Sequence, residues 1–172
     1  MNTRLLTLLL FGFLSSFSHA KEDGQLYQEA LLAAIDAADR IEVIEHSDKM
    51  DFKGGAGGAP DKVPFLIYRQ LTLTPDQTQA FRKDVAAMAV KTQDAFPLCI
   101  FVPHHTIRFY SKNQLQSELQ ICFQCSMTSW PATDKTNPWS LIPTLKKMIE
   151  RVGLDSERDW KKLAIEKMEE QS

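Results

Sequence analysis

The chain of 172 residues has no marked excess of charge of either sign, because 20 basic and 22 acidic side chains give a formal net charge of −2. Proteins that bind nucleic acid or an anionic membrane usually carry a strongly positive surface. The composition gives no electrostatic support for either partner, and we expect no binding to nucleic acid. The sequence also has no internal repeat. Its length suits one domain with one core, which we place over 21–172.

Long apolar runs are missing after the first twenty residues. Arg4 precedes the apolar segment 5–17, and Ser18-His19-Ala20 places small residues at the −3 and −1 positions of a cleavage site. This apolar run is too short and too interrupted for a comfortable membrane span, and no stop-transfer segment follows it. We therefore expect 1–20 to be a signal peptide. The mature protein would be exported, periplasmic or secreted, and would contain no membrane span.

Glycine is scarce except in one stretch, Gly54-Gly55-Ala56-Gly57-Gly58, which lies in a predicted loop over 47–64. A glycine-rich loop that binds phosphate would be followed by Lys-Ser or Lys-Thr and by the start of a helix. Neither follows here, so the sequence favours a solvated loop.

Hydrophobic periodicity predicts an α+β fold, with an antiparallel sheet packed by two main helices and followed by two C-terminal helices. The main helices are predicted over 25–38 and 76–92, and the C-terminal helical segment over 140–170. The predicted strands cover 40–46, 65–72, 98–102, 104–110, 115–125 and 127–130.

Reactive side chains are concentrated in one window with the spacing C-x4-H-H-x16-C-x2-C. It contains all three cysteines and two of the four histidines: Cys99, His104, His105, Cys122 and Cys125. Outside the cytosol thiols tend to be oxidised, and one disulfide would leave one cysteine over. A structural interpretation has buried thiols, or one disulfide that ties Cys99 to the arm of the predicted hairpin.

Three chemical interpretations of this window stay open beside the structural one. Cys99, Cys122, Cys125 and either His104 or His105 could form a Cys3His zinc site. Cys122 and Cys125 could form a redox pair, or a histidine could activate a cysteine nucleophile. Adjacent residues on a strand face opposite sides, so we expect the two histidines not to share a ligand. Likewise, Cys122 and Cys125 can meet only if a turn or bulge lies between them.

Other polar and aromatic residues have plainer interpretations. Glu42 and Glu45 are expected on the solvated face of a strand. Trp130, Trp139 and Trp160 could cover the core or could line a binding surface.

The segments Cys99-Ile-Phe-Val-Pro-His-His-Thr-Ile-Arg-Phe109 and Ile121-Cys-Phe-Gln-Cys125 resemble two boxes of a family of uncharacterised bacterial proteins. In these boxes a Cys, a Pro and a His or Arg precede an Ile-Arg or Val-Arg step, and an I-C-F-x-C box follows. The resemblance implies a small α+β domain and no particular activity.

These observations favour a non-catalytic envelope or secreted binding protein with a structural Cys/His cluster and no cofactor. The partner is unknown, and another protein is one candidate. The alternatives are a zinc-binding domain, a periplasmic thiol oxidoreductase and a periplasmic immunity or inhibitor protein.

Overall fold

The structure is a computed structural model that describes residues 22–52, 63–92 and 98–170. The predicted signal peptide over 1–20 and the glycine-rich part of the predicted loop lie outside the described residues. The described helices and strands follow one another in a simple order. They are α1 (Asp23–Ala37), β1 (Arg40–His46), a 3₁₀ helix (Lys49–Phe52), β2 (Ile67–Thr72), α2 (Pro75–Ala87), β3 (His105–Ser111), β4 (Gln114–Cys122), β5 (Met127–Ser129), α3 (Leu141–Arg151) and α4 (Trp160–Glu170).

The strands form one antiparallel sheet in the order β2-β1-β3-β4-β5. With the helices, this confirms the predicted α+β class. None of the helices in the described residues is both long and apolar enough to cross a membrane.

One face of the sheet packs against α1, α2 and α3. Alternation along β1 places Ile41 and Val43 on this face, opposite Phe109 and Ile107 of β3, and all four side chains are buried. Helix residues such as Leu31 belong to the same apolar cluster. Burial of this cluster is the main stabilising contribution that the structure identifies.

Local sequence signals explain where several elements begin and end. The hydroxyl of Thr74 accepts a hydrogen bond from the Gln77 amide, and the Gln77 side chain accepts one from the Thr74 amide, which completes a capping box at α2. Lys112 and Asn113 both have positive φ angles, 53° and 61°, as a tight turn between β3 and β4 requires.

Two predicted features differ from the structure. The predicted strand over 98–102 is absent, and its Leu98 and Ile100 are exposed. Residues 98–102 pair with none of the five described strands, although β2 and β5 are the edges of the sheet. Helix α2 ends at Ala87, several residues before the predicted end at 92.

Candidate functional site

The apolar face of the sheet becomes polar at one end, where β1 finishes and β3 begins. Continuing the alternation of Ile41 and Val43 brings Glu45 onto this face, directly opposite His105 of β3. Both side chains are 0% exposed. Arg158, from the segment before α4, reaches Glu45 from above the sheet. We call Glu45, His105 and Arg158 the polar end of the sheet.

Arg158 and Glu45 form a close ion pair at the polar end, but the pair lacks good hydrogen-bond geometry. Arg158 Nε lies 2.9 Å from Glu45 Oε1, yet neither carboxylate oxygen has a partner with hydrogen-bond geometry among the described residues. Burial raises the pKa of Glu45, and the nearby Arg158 charge opposes that shift. Arg158 also contacts the Asp155 carboxylate, with Nη2 2.5 Å from Oδ2. The guanidinium is therefore placed between two carboxylates.

His105 is a buried histidine whose ring nitrogens are poorly satisfied. Neither has a hydrogen-bond partner of good geometry among the described residues, where the Asp155 backbone is the one hydrogen-bonding group close enough to act on the ring. Its neighbours are aromatic: the Phe123 ring lies at 5.2 Å and the Trp160 ring at 5.6 Å, both edge to face. Burial lowers the pKa of His105 to about 3, so the ring is neutral at physiological pH.

His104 is fixed by a carboxylate and by an aromatic ring. Its Nε2 donates to Asp51, with both carboxylate oxygens at 3.0 and 3.2 Å. The imidazole stacks on the Trp160 indole at 4.4 Å between ring centroids and 6° between planes. Nδ1 makes no hydrogen bond to a described residue, and in the neutral tautomer with the proton on Nε2 it is a hydrogen-bond acceptor.

The third buried histidine lies on the opposite face of the sheet. His46 Nδ1 donates to the Ser47 carbonyl at 2.9 Å, and Nε2 accepts from the Thr106 hydroxyl at 2.8 Å. Burial lowers the pKa of His46, so this ring is also held neutral. Since both of its nitrogens are used, His46 has a structural role.

Two adjoining cavities lie over the polar end. One has a volume of about 330 Å³ and the other about 450 Å³. They share His104, Gln124, Arg158 and Trp160, and so form one continuous depression, which we call the cleft. His105 and Phe123 line the smaller cavity. Each volume falls within the range of small-molecule binding sites in proteins.

A disulfide closes one side of the cleft. Cys99, which lines the larger cavity, is joined to Cys125, with 5.8 Å between the Cα atoms. A tight turn at Phe123–Ser126 follows β4, and Ser126 has a positive φ of 52°. This turn lets Cys125 leave the strand direction of Cys122. The predicted bridge between Cys99 and the hairpin arm is confirmed, with Cys125 as the partner.

The predicted metal ligands are not assembled around one point. Cys99 and Cys125 are bridged, Cys122 is a separate buried thiol, and His104 and His105 lie at the cleft. Among the described residues, no group of three or more His, Cys, Asp or Glu side chains is placed to hold a metal ion. Zinc binding stays a prediction. A redox pair at Cys122 and Cys125 was one of the interpretations left open, and in the structure Cys125 is bonded to Cys99.

Two interpretations of the sequence were wrong at this site. The adjacent histidines were expected to face opposite sides, but β3 begins only at His105, and both rings contact Trp160. Glu42 and Glu45 were expected to be solvated, but they are 6% and 0% exposed.

Asp51 and Arg158 were not identified as site residues from the sequence. Each lies more than forty positions from His104, and no local pattern links them to it. The aromatic content of the C-terminal segment was the one signal available. It identified Trp160 as a candidate, together with Trp130, which is buried, and Trp139, which is 50% exposed.

Comparisons with protein-family models, with curated proteins and with solved structures give no match. The resemblance carried by the two cysteine-containing boxes therefore stays an expectation.

Proposed function

We propose that this protein is an exported, non-catalytic binding protein and that the cleft is its site for a small ligand. The observation that carries the proposal is His105, which lines a cavity of ligand size, is 0% exposed and has no hydrogen-bond partner of good geometry among the described residues. Glu45, opposite it in the ladder, is buried in the same way. Buried polar groups in folded proteins are nearly always satisfied, so such exceptions call for a specific explanation.

A purely structural role would be served better by apolar side chains at these positions. Burying an ion pair costs desolvation energy, and replacing such a pair with apolar residues of similar volume is often neutral or stabilising. The same sheet face is apolar at Val43 and Ile107, immediately beside the polar end. Polar groups at a position that would suit an apolar residue support a role in recognition.

Two contacts favour binding over catalysis. The Ser156 hydroxyl, which lines the cleft, donates to Glu150 at 3.0 Å and is thereby directed toward that carboxylate. Cys99 and Cys125 are engaged in the disulfide, which removes their thiols as nucleophiles. The disulfide also supports export, because such bonds persist in oxidising compartments.

The proposal is tested by NMR with three aromatic fragments of matched size, benzamide, benzoate and benzylamine, at millimolar concentration. The indole N–H signals of the three tryptophans provide the readout. We expect at least one fragment to shift the Trp160 signal and the amides of Phe123 and Gln124. The signals of Trp130 and Trp139 serve as internal controls and should stay in place. If no fragment moves the Trp160 signal, the cleft is not a ligand site.

A matched pair of variants locates the binding. Gln124→Leu changes an exposed residue that lines both cavities, and Gln116→Leu changes an exposed glutamine on the same strand hairpin, outside the cleft. Only Gln124→Leu should alter the fragment affinity. Equal effects from both variants would place the fragment elsewhere.

A further inference from the structure

Two of the groups in the cleft that would attract an anion, Arg158 and the first turn of α4, already face carboxylates of this chain. Arg158 lies between Glu45 and Asp155, at 2.9 and 2.5 Å. The positive end of α4 is capped by Asp159, whose Oδ1 accepts from the Lys162 amide at 3.1 Å. An anionic ligand would have to compete with these carboxylates for the same partners.

The charges around the cleft leave a surplus of carboxylates. Asp51, Glu157 and Asp159 line it, and Glu45 and Asp155 contact Arg158. The cations beside these five acids are four: Arg158, Lys161, Lys146 at 3.5 Å from Glu157, and Arg69, which lies opposite Glu45 in the β1–β2 ladder and whose charge acts on Glu45. One carboxylate is therefore in excess. Cavities lined by one sign of charge concentrate ligands of the opposite sign.

The histidine rings of the cleft also present hydrogen-bond acceptors that have no donor facing them among the described residues. His104 directs Nε2 to Asp51, so in the neutral form of the ring Nδ1 is an unused acceptor. The buried His105 ring lines the smaller cavity, and the Asp155 backbone is its one hydrogen-bonding neighbour in the described part of the chain, without good hydrogen-bond geometry. A neutral imidazole has one nitrogen that accepts, so a ligand with N–H groups would provide the missing donor.

Aromatic and apolar side chains form the remaining walls. Trp160 and Phe123 line the smaller cavity, while Ile100, Val102 and Met50 line the larger one. The Trp160 indole is stacked on His104 and on Tyr68, so these walls offer apolar area, which suits a hydrocarbon or aromatic tail.

We propose that the cleft binds a small primary amine that carries an aromatic or apolar tail. This inference rests on the proposed function, since it names the ligand class of the same cleft. The ammonium group is placed by the carboxylate surplus and the free histidine acceptor, and the tail by the apolar wall.

The test uses three probes that share a phenyl ring and a short chain: 2-phenylethylamine, 2-phenylethanol and phenylacetate. Their affinities for the full mature chain are measured at pH 7 from the Trp160 indole signal. The amine should bind at least about tenfold more tightly than the alcohol, and phenylacetate should bind most weakly.

Two variants that remove negative charge test whether the affinity for the amine depends on carboxylates of the cleft. Glu157→Gln with Asp159→Asn removes two carboxylates, and asparagine keeps an acceptor for the α4 cap. This double variant should bind the amine about tenfold more weakly while its affinity for the alcohol changes little. Glu169→Gln, an exposed charge near the far end of α4, is the control and should leave both affinities unchanged.

The outcomes separate this inference from the proposed function. Binding of phenylacetate or of the alcohol as tightly as the amine would overturn the amine class and leave the cleft as a ligand site. Absence of amine binding would also overturn it, while the benzamide and benzoate results decide independently whether the cleft binds anything. Equal weakening by Glu169→Gln would show that only the net charge of the protein matters, and would contradict the inference.

Discussion

The middle of the helix-covered sheet face buries apolar side chains, whereas the end of the same face buries polar ones. In the middle, Val43 pairs with Ile107 and both are buried among apolar side chains. Two residues along the same strands, Glu45 pairs with His105, and both are buried without good hydrogen-bond partners. The backbone geometry is shared, so the difference lies in what the side chains do. The middle stabilises the fold, and we propose that the polar end supports a binding site at a cost in stability.

The largest effect should come from the middle of the sheet. Phe109→Ala removes a side chain that is 1% exposed and should lower the free energy of unfolding by about 4 kcal/mol, because a cavity forms. Leu115→Ala is the control, since this residue of β4 is 47% exposed and should change stability by about 0.5 kcal/mol or less. Urea unfolding measures both. Similar losses from the two variants would contradict the assignment of the core.

The disulfide beside the cleft should have the next largest effect. Replacing Cys99 and Cys125 with serine opens a loop with a sequence separation of 26 residues. The expected loss is about 3 kcal/mol in the free energy of unfolding, because the unfolded chain gains conformational freedom. A reductant should destabilise the wild type by a similar amount and leave the double variant unchanged. If Cys122→Ala abolished the response to reductant, the bridge would involve a different cysteine pair.

His105 should make the polar end sensitive to acid. Its folded-state pKa of about 3 lies below the ordinary value of 6.5, so the unfolded chain takes up the proton first as pH falls. The contribution of His105 to stability is complete above pH 6.5 and is lost progressively toward pH 3. Between pH 6.5 and 4.5 we expect a loss of about 2 kcal/mol from this residue alone.

The variant His105→Leu isolates that contribution. As pH falls from 6.5 to 4.5, the variant should lose less stability than the wild type, so its free energy of unfolding should rise relative to that of the wild type. Urea unfolding at several pH values measures this difference. Some acid sensitivity should remain, because burial also lowers the pKa of His46. Glu45 acts in the opposite sense, since its raised pKa gives a contribution that is lost as pH rises. Parallel pH profiles for variant and wild type would show that His105 titrates normally.

The fold was largely predictable because its signals are local. The β1 boundaries at 40 and 46 follow from alternation, and the start of α2 follows from Thr74 and Pro75. The prediction for 98–102 failed because an apolar run does not reveal whether the segment finds a strand to pair with. Strict alternation along β4 would place Leu115 on the same face as Leu119, but an irregularity in the β3–β4 register leaves Leu115 exposed.

The site was much less predictable because its parts meet only through the fold. The cysteine and histidine window identified His104, His105 and Cys99 correctly as lying in one region. Their partners Asp51 and Arg158 come from the 3₁₀ helix and from the segment before α4. Glu45 was expected to be solvated because an acidic residue in an alternating strand is ordinarily exposed, but the structure buries it.

The most direct test of the account compares stability with binding in one variant, Glu45→Leu/His105→Leu/Arg158→Met. The account predicts a free energy of unfolding at pH 7 within about 1 kcal/mol of the wild type or above it. It also predicts that 2-phenylethylamine no longer shifts the Trp160 indole signal. A loss of several kcal/mol, comparable to that of Phe109→Ala, or an unchanged affinity for the amine, would contradict it.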